Sequence, residues 1–112
     1  MSEISQDDFE RVDLRVGRVV EAAPLEGARV PALVLRVDLG AELGVRKSCA
    51  RITHLYQPAE LVGRLVVAVV NLPPRQIGSH ISECLVTGFP GPGGSVTLCV
   101  PDGDVPPGTR LA

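Results

Sequence analysis

The sequence predicts an all-β fold: a five-stranded Greek-key barrel with a short helix between strands three and four and a short helical turn at the amino end. Three observations carry this. Stretches of alternating apolar and polar residues recur along the chain with the period of two that a half-buried strand requires. The most apolar stretch, LVVAVV at 65–70, is unbroken and β-branched, as suits a strand covered on both faces. Between the third and fourth such stretches stands YQPAELVG at 56–63, where Pro58 suits a first helical turn, Glu60 follows closely, and Gly63 suits the position past the last turn.

At the amino end, SQDDFE offers Ser5 as a helix cap with Asp8 three residues on, a looser capping box. From Val12, VDLRVGRVVEAA sets Val12, Leu14 and Val16 on one face and Asp13 and Arg15 on the other, with Gly17 marking a bulge or bend in this first strand. PLEGARVPA at 24–32 is a loop, punctuated by two prolines and a glycine. Strand two, LVLRVDL at 33–39, alternates Leu33, Leu35, Val37 and Leu39 inward. A turn from Gly40 to Gly44 leads into VRKSCARI at 45–52, a third strand whose polar side carries Arg46, Ser48 and, at its end, Arg51. After the helix and strand four comes the polar connection NLPPRQIGSHIS, in which paired prolines remove two donors and stop the ladder. SECLVTGF and SVTLCV supply one or two further strands. Pattern alone leaves an SH3-like barrel or a small sandwich open, and the helix position favours the OB type.

A chain of 112 residues is expected to form one domain over 1–112, burying roughly two thirds of its unfolded surface. At 45% hydrophobic and 21% charged residues it is too apolar for disorder. The acidic start lacks a basic leader and an apolar core, and no run approaches the ~18 apolar residues of a membrane span. The expectation is a cytoplasmic protein without membrane insertion. Cys49, Cys84 and Cys99 are odd in number and form no CxxC, so neither a disulfide framework nor a zinc site is indicated. Net charge is −2, but unevenly spread: residues 1–44 carry −4, residues 45–90 carry +3 and residues 91–112 carry −1. Ten of the eleven cations are Arg, whose planar fork suits phosphate; coding bias toward Ala, Gly, Val, Pro and Arg accounts for the same count.

Catalysis finds little support. His80 and Cys84, with Ser82 between them, form a conceivable nucleophile and base, but four residues along a strand separate side chains by about 13 Å. His54 and His80 lack carboxylate or cysteine neighbours at metal-ligand spacing, and no GxxxxGK[ST] or GxGxxG occurs. No catalytic residue, metal or cofactor is expected. Nucleic acid fits better, because the positive third of the chain covers strand three and the connection after strand four. Only Phe9, Tyr56 and Phe89 are aromatic, too few for a platform that stacks successive bases. Phosphate and 2′-hydroxyl contacts to a folded RNA read by shape suit the remaining residues. The apolar excess in LVVAVV, GFP and the Pro-rich tail is either barrel core or a patch for a second copy or a client peptide.

The order FERVDLRVGRV, RKSCARIT, YQPAELVGRLVVAVVNLPPRQIGSHISECLVTGF and VPDGDVPPGTRL resembles the tRNA-binding domain found alone or appended to some aminoacyl-tRNA synthetases, over about Phe9 to Leu111. Within that family it is most similar to the CsaA-like, export-associated chaperones. The resemblance implies an OB fold, a cytoplasmic homodimer with residues 1–8 at its interface, and binding to the outer corner of tRNA. For the CsaA-like branch it further implies binding of unfolded or preprotein peptide segments. By position it implies RNA contacts at Arg46, Lys47, Ser48, Arg51, Asn71, Arg75 and Ser82. Synthetase-appended members tend to have His-Pro and Ala-Asp in the first loop and Gly-Met after the serine; here stand PLEGARVPA, Glu83 and Cys84.

Overall fold

The computed structural model describes residues 2–112. Strands β1 (Leu14–Pro24), β2 (Leu33–Asp38) and β3 (Val45–Ala50) form an antiparallel meander, and β4 (Leu65–Val69) returns to the free side of β1. Two hairpins follow, interrupted by a barrel strand. β5 (Arg75–Ile77) pairs with β6 (His80–Ser82), β7 (Leu85–Val86) pairs with β4, and β8 (Gly88–Pro90) pairs with β9 (Val96–Leu98). The main sheet runs β3-β2-β1-β4-β7, the order of an OB barrel, so closure requires β3 to meet β7. The polar connection after β4 is therefore more than a loop. It carries the β5–β6 hairpin, which strand patterning misses because three residues on each side are too few to show a period.

Helix α1 (Gln6–Glu10) has the expected capping box: Asp8 N–H donates to Ser5 Oγ at 3.0 Å and Ser5 N–H donates to Asp8 Oδ2 at 3.3 Å. The Gly40–Gly44 turn holds one helical turn, α2 (Gly40–Leu43). Helix α3 (Pro58–Leu61) stands where the sequence places it, with Pro58 in its first turn and Gln57 N–H donating back to the Glu60 carboxylate at 2.7 Å. It ends before Gly63, whose φ of 92° is open to glycine and strained for other residues. Its function in the fold is one residue, Leu61, fully buried in the barrel core; covering a side chain of that size contributes about 1.5–3 kcal/mol.

The interior is filled by Val19 from β1, Leu33, Leu35 and Val37 from β2, Val66 and Ala68 from β4, Leu39, Leu61 and Val86. The bulge of β1 lies between Val19 and Glu21 rather than at Gly17. Gly17 answers a different need. It faces inward opposite Val66, and a Cβ there would stand 2.3 Å from Val37 Cγ1 and 2.9 Å from Leu39 Cδ2. Leu14 and Val16 therefore point to the outer surface of the barrel, paired with Val69 and Val67. β4 is an interior strand, flanked by β1 on one edge and by β7, Thr87 and Cys99 on the other, but its outward face is only half covered at Leu65 and Val67.

At the base of the barrel Asp13 joins three segments. Its carboxylate accepts from Arg15 Nε at 2.6 Å and lies 3.4 Å from Arg110 Nε. Its backbone N–H donates to Asn71 Oδ1 at 2.9 Å and its carbonyl accepts from Val70 N–H at 2.9 Å. Arg15 continues to Gly108 O at 3.1 Å, tying the carboxyl-terminal segment to β1. The Arg15 hydrogen bond, with the charges of Arg15, Arg110 and Arg46, holds the Asp13 carboxyl below the ordinary value of 3.8, outweighing the opposing effect of burial. A depressed folded value stabilises the protein above the unfolded one and ceases to do so as pH falls through the folded value. Asp13→Asn should accordingly cost about 1–2 kcal/mol in urea unfolding at pH 7, and that difference should shrink below pH 4. A pH-independent difference would show that the charge is immaterial.

Candidate nucleic-acid interface

β3 sets the polarity of the surface. Arg46 pairs with Val37, Ser48 with Leu35 and Ala50 with Leu33, so these three share the inner face. The outer face carries Val45, Lys47, Cys49 and Arg51, one residue out of phase with the sequence expectation. The reason is volume, since Leu35 and Leu33 leave room opposite them only for small side chains.

This offset changes what several expected contact residues do. Ser48, 1% exposed, turns its hydroxyl into the barrel wall, where it accepts from Val86 N–H at 3.2 Å. Ser82 Oγ accepts from Cys49 N–H at 3.0 Å and donates to Cys84 O at 3.2 Å. Glu83, exposed and lining the same hollow as Arg75, ties the segment to β3: its Oε1 accepts from Lys47 N–H at 3.0 Å while its own N–H donates to Lys47 O at 2.8 Å. Asn71 is committed through both ends of its amide, the second being Nδ2 to Arg11 O at 2.6 Å. Arg46, half-buried at the barrel end, donates to Val70 O at 3.1 Å. Ser48, Ser82, Asn71 and Arg46 thus hold the frame, and the Ser48 side chain is buried beneath the surface that carries the free cations.

Lys47, Arg51 and Arg75 remain: Arg51 lines a cleft of about 490 Å³ between the 24–32 loop, β3 and the β5–β6 turn, Arg75 lines the hollow adjoining it, and Lys47 stands on the same outer face of β3 as Cys49. Arg51, Cys49, Ile77 and Arg29 line it; Cys49 and Ile77 also line the adjoining hollow that contains Arg75 and Pro73. Arg29 was not singled out from the sequence, and the signal available was an arginine in a loop flanking the face where OB barrels bind. Among the described residues the ion pairs engage Arg11, Arg15, Arg18, Arg36 and Arg110. Arg29, Lys47, Arg51 and Arg75 have no acidic partner, so their charge is available to a ligand.

The aromatic residues stand elsewhere. Tyr56 accepts from Leu98 N–H at 3.0 Å and lies under Arg64, 5.5 Å from ring centre to guanidinium. Burial raises the Cys49 thiol and pushes the Cys84 thiol up to about 11, so both stay protonated at neutral pH. Among the described residues no three His, Cys, Asp or Glu side chains come together as a metal site.

The family model described as "Putative tRNA binding domain" matches residues 14–110. The methionine-tRNA ligase of Leptospira interrogans is 46% identical over 109 residues, and that of Acidithiobacillus ferrooxidans 44% over 108. These matches cover 97% and 96% of this chain, which spans only 15% and 16% of the ligases' length. Among solved structures, chaperone CsaA from Bacillus anthracis superposes with a TM-score of 0.93 at 41% identity, covering 99% of this chain and 100% of that one. The CsaA chaperone from Picrophilus torridus gives 0.91 at 40%, covering 98% and 100%.

If Ser82 is a frame residue, Ser82→Ala should leave Cys49 N–H unpaired and cost about 1–2 kcal/mol of stability, with faster amide exchange at Cys49. A variant as stable as the parent, with unchanged exchange, would return Ser82 to the list of ligand contacts.

Proposed function

The chain belongs to the tRNA-binding domain family, and from that premise we propose that it binds folded tRNA without catalysing a reaction on it. The observation that carries this reading is the set of unpaired cations, Arg29, Arg51 and Arg75, around one groove of an otherwise acidic chain, with Lys47 on the same outer face of β3. Without an aromatic platform the groove suits phosphate and ribose contacts, hence a folded RNA recognised by shape. Arg46, Ser48, Asn71 and Ser82 contribute by fixing the strand and hairpin that carry these cations. The likeness to methionine-tRNA ligases concerns their tRNA-binding part, and no ligase chemistry is proposed for this chain.

A second surface supports self-association. Leu14, Val16, Val67, Phe89, Val100 and Leu111 line an almost wholly apolar groove of about 550 Å³, with Phe89 64% exposed. Burying it between two copies would form a homodimer, and α1, with half-exposed Phe9, borders the same face. Two groups of unpaired cations would then reach one RNA together and raise avidity. Following the CsaA-like resemblance, unfolded or preprotein segments are a further class of partner, with a cytoplasmic role in protein export.

Salt titration tests the first reading. Each phosphate contact adds slightly less than one unit to the slope of log affinity against log salt, so the Arg51→Ala/Arg75→Ala double variant should lose roughly one and a half units. An unchanged slope would sink the groove assignment. For the second, sedimentation should find a dimer at micromolar concentration that Val16→Asp converts to monomer; a monomeric parent would refute it.

A further inference from the structure

Among the cations of the groove stands one anion. Glu83 is exposed and lines, with Arg75, Leu72, Pro73 and Ile77, a small hollow of about 110 Å³ that adjoins the basic cleft. Pairing of Arg75 with Ser82 across the β5–β6 hairpin fixes this proximity, since Glu83 is the next residue along. The two do not neutralise each other: among the described residues no ion pair joins Glu83 to Arg75 or to any other cation. Glu83 Oε1 is held by Lys47 N–H at 3.0 Å, which leaves Oε2 free to accept. A neutral carboxamide would serve Lys47 N–H as well, so closing the barrel does not account for the charge. Phosphate binding does not account for it either, because a carboxylate repels phosphate. Resting on the tRNA-binding reading above, we propose that Glu83 Oε2 accepts a hydrogen bond from the ribose 2′-hydroxyl of the nucleotide whose phosphate Arg75 holds, and so makes the groove selective for RNA.

A ribonucleotide matches this pair of side chains. Its 2′-hydroxyl and 3′-phosphate leave neighbouring carbons of one sugar, a donor beside an anion, and Glu83 and Arg75 present an acceptor beside a cation. An acidic side chain is also the acceptor that dinucleotide-binding folds use for a ribose 2′-hydroxyl. Leu72, Pro73 and Ile77 offer apolar wall to the carbon face of the sugar. Glu83 is tied to β3 through its backbone N–H as well as its carboxylate, so little freedom is lost when it takes up a ligand. Selectivity then has two sources. With the hydroxyl present, a charge-assisted bond forms; without it, the carboxylate meets phosphate with nothing gained in return.

The probe is a synthetic RNA hairpin, compared with the same hairpin carrying 2′-fluoro in place of every 2′-hydroxyl, a change that keeps the A-form sugar pucker and the phosphates and removes the donor. Both are titrated against the full chain at two salt concentrations. The hydroxyl RNA should bind about tenfold more tightly, with equal salt slopes for the two. Glu83→Gln, which keeps an acceptor for Lys47 N–H, should reduce the preference to within about threefold, chiefly by tightening the fluoro RNA. A purely structural Glu83 gives the opposite pattern: the glutamine variant retains the full preference, and Glu83→Ala weakens both RNAs alike. Either of those results, or equal affinity of the parent protein for the two RNAs, would overturn the ribose contact while leaving the phosphate groove intact. Binding of the RNAs that does not depend on salt would overturn the groove, and this proposal with it.

Discussion

The barrel depends on how β3 is joined to the 82–86 segment. A strand of two residues, Leu85–Val86, cannot supply a ladder long enough to close the sheet. The seam is completed by side chains standing in for backbone: Ser48 Oγ takes the Val86 N–H, Ser82 Oγ takes the Cys49 N–H, and the Glu83 carboxylate takes the Lys47 N–H. Each satisfies a donor that closure would otherwise strand, at a point where the chain turns from hairpin to barrel. Because the same bonds seat the β5–β6 hairpin against β3, closure of the fold and construction of the groove are one event.

The polar residues of the middle third divide accordingly into two populations. Those whose hydrogen-bonding capacity is taken up by the protein, Ser48, Asn71 and Ser82, lie close in sequence to those left free, Lys47, Arg51 and Arg75. Adjacent residues on a strand point to opposite faces, so proximity in sequence guarantees different surroundings. A guanidinium already bonded to the frame offers little to a phosphate, which is why exposure and the hydrogen bond of Arg46 to Val70 O separate Arg46 from the exposed Arg75 more cleanly than residue type does.

How much of this the sequence reveals follows from the strength of each local signal. β2, β4 and α3 were legible because long apolar alternation, an unbroken β-branched run and a proline-to-glycine frame each admit one reading. β3 was legible as a strand and illegible as to its faces: Arg46, Ser48 and Ala50 form one set and Lys47, Cys49 and Arg51 the other, with polar residues in both. Only the neighbours, Leu33 and Leu35, decide which set fits inside. The basic middle third was visible in the charge count, but the contribution of Arg29 from a distant loop and the commitment of Asn71 to Asp13 and Arg11 arise only when segments far apart in the chain meet. Gly17 reads in the sequence as a bend, and only the packing of Val37 and Leu39 shows that what matters there is a missing side chain.

That missing side chain has a consequence for how such a domain can change. Val37 and Leu39, from the strand beside Gly17, lean into the volume a Cβ would need, and with Val19, Leu35, Leu61 and Val66 fully buried the interior is filled by side chains. The barrel is a solid support and not a container. Ligand choice is confined to an outer layer of arginines, loop residues and a short hairpin, none of which carries the packing of the interior. Affinity and stability are thereby written in different residues, and the outer layer can be revised for a new ligand while the support beneath it stays the same.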